Sequence, residues 1–392
     1  MGNFTVKKKS VNQVEYQGKT YTCNGERIVM DGQSRWLYRT KRGLDLDILI
    51  CDDRYADEPE FTHLTKFPSG CYIVPVSPAV GFLTFTAEEA NSTVTLTRLY
   101  GSDGGINLQY SLDKGDNWEE YSDGWKTVGP GETLTLESVG DTVMFKGENN
   151  HFTIDDGSGE APAYRFVITG TVACSGDVTS LLNGTGGDYS LKTYSCCFYG
   201  LFRDCTGLTK APNLPSTELS SNCYGNMFYG CTSLTSAPEL PATTLTSNCY
   251  SGMFYGCTSL TSAPELPATT LASSCYRNMF NGCTSLTSAP ELPATTLVNA
   301  CYNSMFQGCT GLTSTPELPA TKLETYCYSS MFNGCTSISN VTCLATDISA
   351  NSCTYIWLSG VSGTGVFTKA QSMSNWTTGN NGIPSGWTVV DA

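Results

Sequence analysis

The sequence predicts a mainly β protein with short helical turns, arranged as an N-terminal β module, a β-sandwich-like domain and a C-terminal solenoid of 26-residue repeats. Three observations carry this expectation. Only 15% of the 392 residues are charged while 39 are Gly and 17 are Pro, so helix formers are scarce and turn formers abundant. Residues 81–160 alternate apolar and polar side chains in "TVTLTRLY", "NLQYSL", "TLTLESV" and "DTVMFKG", as strands with one buried face do. From residue 197 onward two cysteines recur at a fixed step of 26.

Residues 1–80 hold β-like runs such as "VEYQGKTYTC", "RWLYRT" and "LDILICDD", broken by Gly and Asp. They read as a small β-rich attachment domain, through which a homo-oligomer can form. The start, "MGNFTVKKKSVNQ", has positive charge but no apolar stretch behind it, so it does not read as a secretory signal. Two origins fit: a protein assembled into a phage particle, or Met1-Gly2 standing where a signal was removed. No apolar run approaches the ~20 residues of a membrane span, so membrane insertion is not expected.

Residues 81–160 carry 4 basic and 15 acidic side chains, against 11 and 10 before them and 7 and 11 after. The net charge of −14 therefore resides mostly in this middle segment. No basic cluster could track a phosphate backbone, which argues against nucleic acid as a partner. The acidic middle admits Ca²⁺, although a solubilising surface is the plainer reading and no cofactor is required. Within it "SLDKGDNW", Ser111 to Trp118, matches the Asp-box pattern S-x-D-x-G-x-x-W known from sialidases. Physically this is a tight hairpin, with Asp113 bonding back to turn amides, Gly115 in the strained conformation and Trp118 packed beneath. The motif occurs once, without an Arg cluster or paired acids, so sialidase-type chemistry is not expected. Residues 161–196 read as a cap on the N-terminal end of the solenoid, with Asp177 a helix N-cap.

The repeats span 197–355. One cysteine column is Cys197, Cys223, Cys249, Cys275, Cys301, Cys327 and Cys353; the other is Cys205, Cys231, Cys257, Cys283, Cys309 and Cys335. Phe202, Phe228, Phe254, Phe280, Phe306 and Phe332 keep the same step, as do Leu208 to Leu312 and Leu214 to Leu318. A repeat this short cannot bury a core alone, so the copies must stack and share one interior. In each, "CTSLTSAPELP" reads as extended, interrupted by Pro238 and Pro241, which remove ladder donors. "SNCYSGMFYGC" places Cys249, Met253, Phe254 and Cys257 at spacings that suit a short helical or 3₁₀ turn. Residues 356–392 drift from the consensus and read as the C-terminal cap.

The stretch "MFxGCTSLTSAPELP" resembles the leucine-rich repeats of the BspA-like (Treponema-type) class, which carry an alanine–phenylalanine pair, a cysteine, spaced Leu/Ile and a Leu-Pro. Here Met replaces the alanine, and Leu240 lies nine residues after Cys231, one more than that pattern usually has. "GIPSGWTV", Gly382 to Val389, is similar to the C-terminal segments of such proteins from gut Bacteroidetes and their phages. The resemblance implies cell-surface adhesion rather than catalysis.

Nineteen cysteines is an odd number, so at least one has no partner within the chain. In-register side chains point the same way, which strains a ladder of bridges, and a Cys-x₇-Cys bridge would close only a small loop. Reduced thiols acting as small buried hydrophobes fit better. There is no C-x₂-C pair and only two His, so zinc is not expected.

No nucleophile elbow, zincin motif, P-loop or dinucleotide fingerprint is present, and His63 and His151 have no flanking constellation. The chain is not expected to be an enzyme. Binding candidates come from comparing the copies with one another. Tyr229, Tyr255, Asn281, Gln307 and Asn333 follow the Phe column, and the residues flanking the first cysteine, Arg277 and Tyr326 among them, also vary. Such an edge is either a tunable binding face or an unconstrained surface. The Tyr224, Tyr250, Tyr276, Tyr302 and Tyr328 column reads as semi-buried packing or as a sugar-stacking ladder. Glu239, Glu265, Glu291 and Glu317 form an acidic column, solvated or bridged by a cation row.

The functional expectation is a non-catalytic adhesion protein presenting a repeat surface to a cell-surface protein or glycan, as a phage fibre or receptor-binding component. A secreted bacterial surface adhesin, or a spacer or capsid decoration without ligand, are the alternatives.

Overall fold

The computed structural model describes the strand backbone within residues 1–80, and side chains over residues 81–98, 106–112, 126–149, 152 and 164–392. The chain divides into two units, Met1–Val80 and Gly81–Ala392. His63, His151 and the Asp-box residues after Asp113 lie outside the described residues.

The first unit is one antiparallel sheet of β1 (Val6–Ser10), β2 (Gln13–Tyr16), β3 (Lys19–Thr22), β4 (Arg27–Met30), β5 (Gln33–Thr40), β6 (Ile48–Asp52) and β7 (Tyr72–Val74). Its order is β1-β2-β3-β5-β6-β7, with β4 pairing β5 beside β3.

The second unit begins with β8 (Leu83–Ala87), β9 (Ser92–Arg98), β10 (Leu108–Asp113), β11 (Lys126–Thr127), β12 (Thr133–Leu136), β13 (Thr142–Gly147), β14 (Tyr164–Thr169) and β15 (Val172–Ser175). Helix α1 (Ser180–Asn183) and strand β16 (Leu208–Lys210) follow. One sheet runs β11-β10-β13-β8-β15-β16 and a second β12-β9-β14. Burial alternates along β9 and β14, as the apolar–polar pattern requires. The inner faces meet through aromatic rings: Phe166 of β14 lies 4.9 Å from Phe85 of β8 and 5.1 Å from Phe145 of β13.

Residues 161–196, read above as a separate cap, contribute β14 and β15 to these two sheets. The larger sheet then ends on β16, inside the first copy, and the β15–β16 pairing is parallel. Strand pairing therefore joins β14 and β15 to the strands of residues 81–149 and β15 to the first copy. Asp177 does not cap the helix. Its carboxylate accepts from the Gly187 N–H (2.8 Å) and the Asn213 Nδ2 (3.0 Å), tying the loop after α1 to the first copy, while Thr179 occupies the N-cap position.

The copies stack in register, and the backbone explains how. Between the two cysteines of the Cys249 copy, alternate N–H groups reach the next copy: Tyr250 to Cys275 O, Gly252 to Arg277 O, Phe254 to Met279 O and Gly256 to Asn281 O, at 2.7–3.1 Å. The intervening ones close turns on their own copy: Ser251 to Asn248 O, Met253 to Tyr250 O, Tyr255 to Gly252 O and Cys257 to Phe254 O, at 3.1–3.2 Å. Asn248, Gly252 and Gly256 have φ of 54°, 63° and 70°, and equivalent positive-φ residues recur in the other copies. A left-handed residue at every fourth position prevents the helical turn that the apolar spacing suggested. The segment is a train of turns. At Gly256 an added Cβ would find only ordinary contact, so glycine serves the left-handed conformation rather than close approach.

The "CTSLTSAPELP" stretch contributes only isolated parallel bridges, such as Ser236 to Ser262 and Ser288 to Ser314. Each bridge sits just before the proline that stops it. At the far end β17 (Asn340–Cys343), β18 (Gly365–Lys369) and β19 (Trp387–Asp391) form a parallel sheet.

Register makes like residues meet. The Phe column from Phe202 to Phe332 is fully buried, with ring centroids 5.4–5.6 Å apart, and it continues from Phe166 of the two-sheet core. A second column runs Phe198, Tyr224, Tyr250, Tyr276, Tyr302, Tyr328, Trp357, Trp376 at 5.5–6.2 Å. The five tyrosines are at most 1% exposed, so the sugar-stacking alternative is overturned: each ring face is covered by the next ring.

All sixteen cysteines among the described residues are buried, and the fifteen other than Cys196 are free thiols. The second column has a definite task. Cys231, Cys257, Cys283, Cys309 and Cys335 each point a thiol at the Phe carbonyl of the preceding copy, at 2.9–3.1 Å. That carbonyl already accepts a turn N–H, so the S–H serves its second lone pair. Burial pushes Cys205, Cys257, Cys335 and Cys343 up to about 12 and Cys275 to about 11.

Two predictions follow from this interior. Phe254→Ala should lower the unfolding free energy by about 3–5 kcal/mol, measured by urea denaturation; a loss below ~1 kcal/mol would contradict a shared aromatic column. The thiols set an alkaline limit. An unfolded thiol ionises near ~8.5 while the buried ones hold their protons, so their contribution is complete below that pH and is lost as pH rises towards ~12. Each withdraws about 1.4 kcal/mol per pH unit over that interval. Circular dichroism should therefore show a steep unfolding transition above pH ~9, and a thiol reagent at pH ~8 should leave the sixteen buried groups unmodified until denaturant is added.

Candidate binding edge

The outward side chains of the turn train form the edge on which the copies differ. The column after the Phe stack begins one copy earlier than the sequence comparison placed it, at Arg203, and continues through Tyr229, Tyr255, Asn281, Gln307 and Asn333. All are half-buried, and each engages a neighbour in the column. The Arg203 guanidinium lies 4.5 Å over the Tyr229 ring, which stacks on Tyr255 at 4.6 Å. Asn281 Nδ2 donates to Gln307 Oε1 (3.1 Å), Gln307 Nε2 to Asn333 Oδ1 (3.4 Å) and Asn333 Nδ2 to the Ile356 carbonyl (3.3 Å). Arg203 and Tyr255 thus cover the two faces of Tyr229, and Tyr229 covers one face of Tyr255. The amide half is a hydrogen-bonded ladder whose unused acceptors and donors face outward.

Part of the variation has a backbone cause. The residue before the first cysteine is left-handed in Asn222, Asn248, Ser274, Ala300, Tyr326 and Ser352, and so is the one three residues after that cysteine, as in Asn226, Gly252, Asn278, Ser304, Ser330 and Ile356. Asn, Gly and Ser at these places are what that conformation tolerates, independent of any ligand. Ala300, Tyr326 and Ile356 depart from the rule.

Between those two positions lies a freely chosen column. Ser251, Arg277, Asn303, Ser329 and Tyr355 have ordinary backbone; Arg277 and Tyr355 are exposed, Ser251 and Asn303 half-buried and Ser329 buried. Tyr355, which the copy comparison missed because it lies at the drifting end of the array, is 50% exposed; Tyr326 is 41% exposed. The structure therefore groups Tyr229, Tyr255, Asn281, Gln307 and Asn333 in one column, as a stacked pair followed by an amide ladder. Arg277 and Tyr326 stand outside it, on neighbouring outward columns.

Glu239, Glu265, Glu291 and Glu317 lie on the "CTSLTSAPELP" side of each copy and are all exposed. Among the described residues no three His, Cys, Asp or Glu side chains converge into a set that could hold a metal ion, this column included. No helix among the described residues is long and apolar enough to cross a membrane.

Set against models of protein families, curated proteins and solved structures, the chain matches none of them.

Proposed function

We propose that residues 197–355 form a leucine-rich-repeat solenoid of the BspA-like kind, and that the protein is a non-catalytic binding protein of a phage virion or bacterial surface. The repeats present a stiff outward edge to a cell-surface protein or glycan, and the sheet of residues 1–80 attaches the molecule. One observation carries this reading: the interior columns barely change between copies, while a column without left-handed backbone changes from Ser251 to Arg277 to Asn303 to Ser329 to Tyr355 and is exposed at Arg277 and Tyr355. Stiffness is the mechanism. Side chains already held by their neighbours lose little conformational entropy when a partner arrives.

A second reading has its own support. Arg203, the two tyrosines and the amides satisfy one another, as expected of a spacer or decoration protein with no ligand.

The two readings separate in a single measurement. The labelled full chain, titrated onto intact bacterial cells, should bind saturably and be displaced by unlabelled protein. Non-saturable or undisplaced signal across all strains tried would favour the spacer.

A further inference from the structure

We propose that Tyr326 and Tyr355 form a carbohydrate-binding subsite at the C-terminal end of the variable edge, a proposal that rests on reading that edge as a binding surface. Tyr326 has φ of +56°, a conformation that a bulky side chain adopts only at a cost in free energy. Its counterparts in the other copies are Cys196, Asn222, Asn248, Ser274, Ala300 and Ser352, so the backbone there has no need of an aromatic residue. Nor does packing require one, since the side chain is 41% exposed. A strained residue that the fold does not use is a candidate for function.

Tyr355 adds a second ring. Its place in the repeat is held by Tyr199, Gly225, Ser251, Arg277, Asn303 and Ser329 in earlier copies; Tyr199 is half-buried and its hydroxyl accepts from Asn226 Nδ2, whereas Tyr355 is 50% exposed. Hydrogen bonds fix its position relative to Tyr326. The Ser329 N–H donates to Tyr326 O (3.2 Å), and in the next copy Tyr355 takes the place equivalent to Ser329, where its carbonyl accepts from Ser330 N–H (2.8 Å). The two tyrosines are thus one copy and a single turn apart on the same outward side. They are the only tyrosines among the exposed large apolar side chains of the described residues, and neither stacks on another ring there.

Their ring faces separate this place from the rest of the edge. Tyr229 and Tyr255 cover each other, whereas Tyr326 and Tyr355 offer the apolar ring surface on which the C–H face of a pyranose packs. Polar groups come from the same stretches of backbone: exposed Asn351, whose carbonyl accepts from Tyr326 N–H (3.2 Å), and Glu324, two residues before Tyr326, whose carboxylate accepts from Lys322 Nζ (3.0 Å). Glu324 and Asp347 outweigh Lys322 in charge, which favours a neutral sugar over an anionic one.

The repeats supply their own control substitutions. Tyr326→Asn and Tyr355→Ser install residues that earlier copies carry at the same places. The full chain and both variants would be applied to a printed panel of neutral oligosaccharides (glucans, mannans, galactans, xylans and N-acetylglucosamine oligomers), with thermal unfolding followed alongside. The wild type should bind at least one saccharide and each variant should weaken that binding about tenfold or more, roughly the loss of one stacked ring. The Tyr326→Asn midpoint should hold steady or rise as strain is relieved. Saccharide binding within twofold of wild type in both variants would overturn the subsite and leave the adhesion reading intact. Saturable cell binding with no saccharide bound would overturn the ligand class alone, pointing to a protein partner. A lower Tyr326→Asn midpoint would show that the fold does use this tyrosine, removing the argument from strain. No binding to saccharides or cells would end both proposals.

Discussion

The alternating fate of the backbone N–H groups is the constraint on which the rest depends. In the turn train, one N–H closes a turn on its own copy and the next reaches the following copy. Neither set works alone: turns without the inter-copy bonds, or inter-copy bonds without the turns, would leave every other N–H of the segment unpaired. Together they lock the register at one full period. Phe must then lie on Phe, and each second-column thiol must meet the Phe carbonyl behind it. The left-handed residue at every fourth place is what lets the chain alternate in this way.

Much of this was legible in the sequence because period and register are the same fact. A column of identical residues spaced by one period stacks if the copies stack, so the Phe core and the free, buried cysteines could be read without coordinates. The turn train could not. Apolar residues at Cys249, Met253, Phe254 and Cys257 suit a helical turn equally well, and the deciding signal was the Asn or Gly at every fourth residue, which composition alone does not separate from surface variation. The tyrosine column was ambiguous for a different reason. A hydroxyl marks a ring as amphipathic, but its burial was decided by neighbours on both sides covering its faces.

The boundary between the two-sheet core and the repeats was misplaced because "YRFVIT" and "VACS" were assigned by position rather than by pattern. Both alternate as strands, and both add to sheets begun some eighty residues earlier. Phe166 then serves two cores at once, packing on Phe85 and Phe145 within the sheets and stacking on Phe202 of the first copy. The N-terminal end of the array is closed by folded structure that shares its aromatic column, which is how an exposed terminal repeat avoids presenting apolar surface.

Register has a further consequence for recognition. Where neighbouring copies carry the same or similar outward residues, those residues face each other first: Tyr229 takes a face of Tyr255, and Asn281 takes a hydrogen bond of Gln307. A regular column is therefore largely self-satisfied, and the bonding capacity left over is what its geometry cannot absorb. Free capacity arises where a column is broken, by Arg277 between Ser251 and Asn303, or by Tyr326 among Asn, Ser and Ala. In an array built by repetition, the places that differ from their own copies are also the places with unspent chemistry. The stability of the stack and the specificity of its edge thus draw on opposite features of the same sequence, sameness inside and departure from sameness outside.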